Sequence, residues 1–187
     1  MPALRLVVGL GNPGPRYART RHNAGYRLVE SLAGEEASWR DFRGLARYAR
    51  REDLFLAQPL TYMNESGRFI SAFQHFHKIA RGETLVCLDD VALPLGRLRL
   101  RLRGSSGGQK GMESIIAELR TEDIPRLRIG IGPQPPGWDS ADFVLGRFSP
   151  QEEKAFQEVL AEAGEAVRVA AQEGLEAAMN RFNAAKR

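Results

Sequence analysis

The sequence predicts an α/β fold: a single domain built on a twisted mixed β-sheet with helices on both faces, in three α/β/α layers. Three observations carry that expectation. Short apolar runs alternate with segments of helical period along most of the chain, as when helices cover both faces of a sheet. The stretch LARYARREDLFLAQPL reads as two strands turning around Arg51 to Asp53, which makes the sheet mixed. Finally, 187 residues with 43% hydrophobic content suffice for one core but would leave two full domains small, so the domain is expected to span 1–187.

In chain order, Leu4 to Leu10 is apolar enough for a buried parallel strand. Ala24, Leu28, Val29 and Leu32 then recur at helical spacing within NAGYRLVESLAG. After the hairpin, SGRFISAFQHFHKIA sets Phe69, Ile70, Phe73 and Phe76 on one helical face. TLVCL is a short apolar strand, RLRLRLR alternates strictly, MESIIAELR is a short helix and RLRIGIG another strand. The Pro/Gly-rich loop PQPPGW follows. Ser149-Pro150-Gln151-Glu152 forms a capping box with proline at the first helical position. It opens a C-terminal helical segment over about 150–185, with Gly164 and Gly174 as the candidate breaks.

Composition narrows the function classes. Neither a signal-peptide pattern nor an apolar run of membrane-spanning length is present, so a cytoplasmic protein with no membrane partner is expected. The single cysteine, Cys87, excludes an internal disulfide, and its setting in TLVCLDD suits a buried strand thiol. His22, His75 and His77 offer no spaced ligand set, so no metal is expected. Beyond residue 150, five basic side chains face seven glutamates, a local balance of −2 that leaves +6 on the first 150 residues. Arg97, Arg99, Arg101, Arg103 and Lys110 run without an acid between them, which points to a polyanionic partner.

Gly9 to Gly14 spells G-x-G-x-x-G. A dinucleotide site would need a helix opening directly from the turn and an acid closing a second strand about 20 residues on. Asn12-Pro13 interrupts the turn, and Glu30, the one acid at that distance, falls in a helical segment. The glycines need another explanation.

In open α/β sheets the ligand crevice lies outside the carboxyl ends of the strands. LRLVVGL ends at Gly11-Asn12, DLFLAQPL at Thr61 to Asn64, and TLVCL at Asp89-Asp90. His22, at the start of a helix, is the one histidine near this rim. Alone it would be a cap or a surface residue, and the aspartates turn acids. Together they suit a base and its orienter, because a carboxylate accepting the imidazole's second N–H fixes its tautomer and raises its basicity. Asn12 and Asn64 are either turn residues or amide donors to a carbonyl. No serine, cysteine or lysine stands in a nucleophile setting, so a hydrolase here would use an activated water. The alternating arginines share one strand face and can meet phosphates, and the GSSGG loop after them lets a nucleic acid come close. The bland alternative is a solvated strand face.

With these residues in view, the sequence resembles the bacterial peptidyl-tRNA hydrolases. VVGLGNPGPRYARTRHNAGY is similar to their N-terminal signature, QPLTYMNESG to a second motif, LDDVALPLGRLRLRLRGSSGGQKGMESI to a third, and RLRIGIG with FVLGRFS to later segments. The resemblance implies metal-independent, cofactor-free hydrolysis of the ester joining a peptide to the 3′-terminal ribose of tRNA, by a cytoplasmic monomer that grips the acceptor stem and 3′ CCA end. It implies His22 as general base for a water and Asp89 as its orienting carboxylate. Asn12, Tyr17, Asn23, Tyr62, Met63 and Asn64 would contact substrate, and Arg99, Arg101, Arg103 and Arg128 would contact tRNA; Lys110, by its charge, is expected to bind substrate as a clamp on the 3′-terminal phosphates, the alternative being a solvated loop lysine. One motif departs from the pattern: the family's G-G-H-N-G reads Gly107-Gly108-Gln109-Lys110-Gly111. Lysine cannot accept a hydrogen bond as that asparagine does. A non-catalytic RNA-binding protein on the same fold is the alternative.

Overall fold

Alternation along the first strand, β1 (Leu6–Gly9), sorts the core: Leu6 and Val8 enter one apolar cluster and Val7 the other, all fully buried. A strand buried on both faces has to be central, and β1 lies in the middle of a seven-stranded sheet. The structure is a computed structural model describing residues 3–184. The outermost ends of the expected 1–187 span, and the expected helix end at 185, lie outside the described residues.

The remaining strands are β2 (Arg40–Phe42), β3 (Ala46–Arg51), β4 (Leu54–Pro59), β5 (Thr84–Pro94), β6 (Leu98–Arg101) and β7 (Arg126–Gly132). The helices are α1 (Ala24–Ala33), α2 (Ser66–His77), α3 (Lys110–Leu119), α4 (Ser140–Leu145), α5 (Pro150–Gln172) and α6 (Leu175–Phe182). Strand order is β2-β3-β4-β1-β5-β7-β6, with β4, β1, β5 and β7 parallel and β2, β3 and β6 antiparallel to their neighbours. Helices α1, α5 and α6 close one face, burying Leu28, Val29, Phe156 and Leu175 against Val7, Leu85 and Leu127. Helices α2 and α3 close the other, burying Phe69, Ile70, Phe73 and Ile115 against Leu6, Val8 and Val86. The single-domain α/β/α arrangement is the one the alternation predicts.

Several boundaries differ from the sequence expectation. β5 does not stop at Leu88 but continues to Pro94, carrying Asp89 and Asp90 within the strand. Its pairing with β7 shifts register between Asp90 and Pro94. Phe76 does not join Phe69, Ile70 and Phe73 in the core: it sits in the last turn of α2, is exposed, and carries Arg43 over its ring. α3 begins at Lys110, not Met112, because Gln109 caps it. The long helix runs through Gly164 and ends before Gly174, whose φ of +98 only glycine tolerates well. β2 and α4 had no periodic signal long enough to mark them.

Of the opening glycines, Gly9 and Gly11 serve close packing, whereas Gly14 has open space around it and a φ of +100. A Cβ on Gly9 would stand 2.1 Å from the Gly25 carbonyl oxygen, and one on Gly25 would stand 2.2 Å from that of Cys87. Backbone therefore meets backbone where α1 crosses β1 and β5, which brings the turn before α1 down onto the sheet rim.

Candidate active site

Because β1 ends at Gly9, opposite Cys87, the segment Leu88 to Asp90 extends past β1 at the carboxyl rim while it stays paired with β7 on its other side. A cavity of about 980 Å³ opens there. Asn12 after β1, His22 before α1, Tyr62 to Asn64 after β4, the loop leading into α3, and α4 line it.

His22 lies in a short 3-10 turn, Arg21–Asn23, that leads into α1. Its Nδ1 is 2.9 Å from Asp89 Oδ2. A carboxylate oxygen accepts, so Nδ1 donates and Nε2 keeps its lone pair. Among the described residues Nε2 has no protein partner. Burial pulls the imidazole pKa down, but the charge of Asp89 and its hydrogen bond outweigh that, and the net displacement is upward from 6.5. Asp89 is 3% exposed, and its second oxygen, Oδ1, accepts from Gln109 Nε2 at 3.0 Å.

The turn carrying His22 is anchored from behind. The Arg21 guanidinium lies over the rings of Phe143 and Phe148, 4.5 and 5.2 Å from their centroids, and donates to Glu152 Oε2 at 3.1 Å. The same oxygen accepts from Ser149 N–H at 2.7 Å in the capping box of α5. One carboxylate thus joins the cap of the longest helix to the residue beside His22.

Asn12 has its side-chain orientation decided by its partner. The Met63 N–H donates to Oδ1 at 2.8 Å, so Nδ2 remains as the free donor at the cavity wall. Asn23 is buried beneath it and spends both amide groups on the Asn12 backbone, at 2.9 Å each. Asn23 is therefore a brace for Asn12 and does not line the cavity. Tyr17, half-buried in the turn after Gly14 with Arg16 over its ring, does not line it either. Tyr62, Met63, Asn64 and Lys110 do.

The basic residues divide in the same way. Arg101, Arg103 and Arg128 reach the cavity, whereas Arg99 lies farther along the exposed face of β6. Arg128 is ion-paired through Nε with Asp90 Oδ2, and Lys110 with Glu113 at 3.0 Å. Arg126 is buried and donates to the carbonyls of Gly104, Ser105, Glu122 and Ile124, which pins the Ser/Gly loop. Burial lowers its pKa.

Sequence reasoning missed three contributors. Gln109 registers in the sequence only as a departure from a motif. Arg126 looks like another member of a basic strand. Helix α4 supplies Val144 and Leu145 as an apolar wall, and its signal was present: Asp139 accepts from the Ala141 and Asp142 N–H groups ahead of Phe143, an N-cap pattern. Among the described residues no group of three His, Cys, Asp or Glu side chains is placed to hold a metal ion, and no helix is long and apolar enough to cross a membrane.

Comparison with known proteins gives the following. The family model described as "Peptidyl-tRNA hydrolase" matches residues 6–187. The peptidyl-tRNA hydrolase of Chloroflexus aggregans is 53% identical over 186 residues, covering 95% of this chain and 98% of the relative. That of Elusimicrobium minutum is 48% identical over 185 residues, covering 96% and 99%. A crystal structure of peptidyl-tRNA hydrolase from Acinetobacter baumannii superposes with a TM-score of 0.89 at 34% identity, covering 98% of this chain and 96% of that one.

Proposed function

Because the chain belongs to the peptidyl-tRNA hydrolase family, we infer that it hydrolyses peptidyl-tRNA with His22 as the base. The ester between the peptide and the 3′-terminal ribose is cleaved and free tRNA is released for reuse in translation. The observation that carries the mechanism is the His22–Asp89 pair at the wall of the cavity of about 980 Å³. With Nδ1–H held by Asp89, Nε2 takes a proton from a water as its oxygen attacks the ester carbonyl, a step that general-base catalysis accelerates by roughly 10²–10⁴. The Asn12 Nδ2 donates to the carbonyl oxygen as negative charge gathers on it, a contribution of roughly 10²–10³. The carbon–oxygen bond to the ribose then breaks, and protonated His22 gives its proton to the departing 3′ oxygen.

Each proton has a protein group to carry it, so the scheme calls for no metal. Arg101 and Arg103 at the mouth, with Arg99 beyond them, suit the phosphates of the acceptor stem while the 3′ CCA end enters the cavity. Tyr62, Met63 and Asn64 face the peptide side. The reading is of a cytoplasmic monomer, as the family resemblance implies. A purely RNA-binding role would leave a buried carboxylate and its imidazole partner without use.

The test is hydrolysis of N-acetyl-aminoacyl-tRNA beside the unblocked aminoacyl-tRNA. The account predicts release from the blocked substrate alone, because contacts to a first peptide bond have no counterpart in a free α-amino group. Release from neither would return the chain to the RNA-binding role.

A further inference from the structure

We propose that Gln109 is a positioning residue for the reaction: its side-chain amide clamps the Asp89 carboxylate toward His22 and ties that carboxylate to the first turn of α3. The proposal deepens the hydrolase reading and rests on it.

Gln109 is the N-cap of α3, and its Oε1 accepts from the Met112 N–H at 2.7 Å. A backbone N–H can only donate, so the oxygen has to face the helix and the NH₂ has to face away from it. On that side Nε2 reaches Asp89 Oδ1 at 3.0 Å and lies 3.4 Å from Met63 Sδ. The amide has no second orientation that keeps both bonds. Asp89 is held at both oxygens, Oδ1 by Gln109 and Oδ2 by His22. A carboxylate pinned at two points does not swing away from the imidazole, so the cap of α3 fixes the tautomer of His22 through one intervening side chain. The residue that looks like a loss in the motif takes up a donor's task.

The clamp also sets the field at His22. The positive end of the Nε2–H dipole points at Asp89 and offsets part of its charge. The other charged groups lining the cavity are the Asp90–Arg128 pair on β5 and β7, Arg126, Lys110, and Arg101 and Arg103. Lys110 is paired with Glu113, and Arg21, beside His22, is tied back to Glu152. α4 presents no charged side chain to the cavity.

Gln109→Glu separates the two roles. The new carboxylate still accepts from the Met112 N–H and suits a helix N-terminus, but it cannot donate to Asp89 and sets a like charge beside it. The His22 ring titration, followed by NMR, is expected to move upward by about one unit. The acid limb of the pH–rate profile on N-acetyl-aminoacyl-tRNA should move with it, and kcat should fall roughly tenfold or more, with Tm close to wild type. Gln109→His restores an N–H donor and is expected to recover most of kcat. Should Gln109→Glu leave both the ring titration and the acid limb in place, Gln109 is a helix cap only and the proposal is overturned. The ring titration needs no turnover: a shifted titration in a protein whose wild type releases nothing from the blocked substrate would uphold the clamp while overturning the reaction.

Discussion

His22 has to be neutral to take a proton from water, and that requirement gives a pH dependence its sign. Asp89 holds the imidazole pKa above 6.5 against the opposing pull of burial. Activity is therefore gained as pH rises through a value above 6.5, and the protonated enzyme below it is inactive. Asp89→Asn removes the charge and leaves burial, so the acid limb should move to lower pH even as kcat falls; a limb that moved up would contradict the assignment of Asp89 as orienter. Both residues were legible in the sequence because each follows or precedes a strong periodic run, and strand ends in an α/β sheet face one rim. The bond between Gln109 and Asp89 was not legible, since it links a loop to a strand 20 positions away and glutamine carries no spacing rule. Nor did the sequence separate Asn12, with a free amide, from Asn23, with none.

At the scale of elements, the Arg21–Glu152 tie makes the start of α5 part of the support for His22. Burial tends to raise the Glu152 pKa, but its hydrogen bonds with Ser149 and the charge of Arg21 prevail, and the net displacement is downward from 4.5. Stability from this group is present above 4.5 and lost as pH falls through the depressed value. Glu152→Ala should lower Tm at neutral pH by roughly 3–8 °C, from a lost cap and an unpaired buried guanidinium. The gap to wild type should narrow in acid. Equal gaps at both pH values, in thermal melts, would mean the tie contributes nothing. The edge strand β6 carries a second prediction. Replacing Arg99 and Arg101 by Ala should weaken substrate binding and reduce the magnitude of the salt slope by about 0.7–0.9 for each phosphate that is no longer neutralised. Arg101, at the cavity mouth, should cost more in KM than Arg99. The alternation that marks this strand reads plainly in the sequence, whereas α4 and β2 are too short for periodicity to reveal them.

The whole molecule has two apolar layers that share one sheet, with Leu6, Val7 and Val8 of β1 committed to opposite sides. Neither layer can melt while the other keeps its strands. Urea unfolding followed by circular dichroism and by tryptophan fluorescence should give coincident transitions; separated midpoints would show that the layers are independent. The same architecture explains why Arg101, Arg103 and Lys110 line the cavity that holds His22 and Asp89: β6 is an edge strand antiparallel to β7, and the chain leaving it passes directly through the Ser/Gly loop to Gln109 and Lys110. Fold class was readable from the alternation of elements. The outline of the cavity was not, because its walls come from segments far apart in sequence, from Asn12 to Leu145. The central claim, that this cavity holds a water activated by His22, is tested most directly by single-turnover cleavage of N-acetyl-aminoacyl-tRNA by His22→Ala, measured beside filter-binding affinity for the same substrate. The account predicts a rate lower by roughly 10²–10⁴ with binding nearly unchanged; a near-wild-type cleavage rate would contradict it.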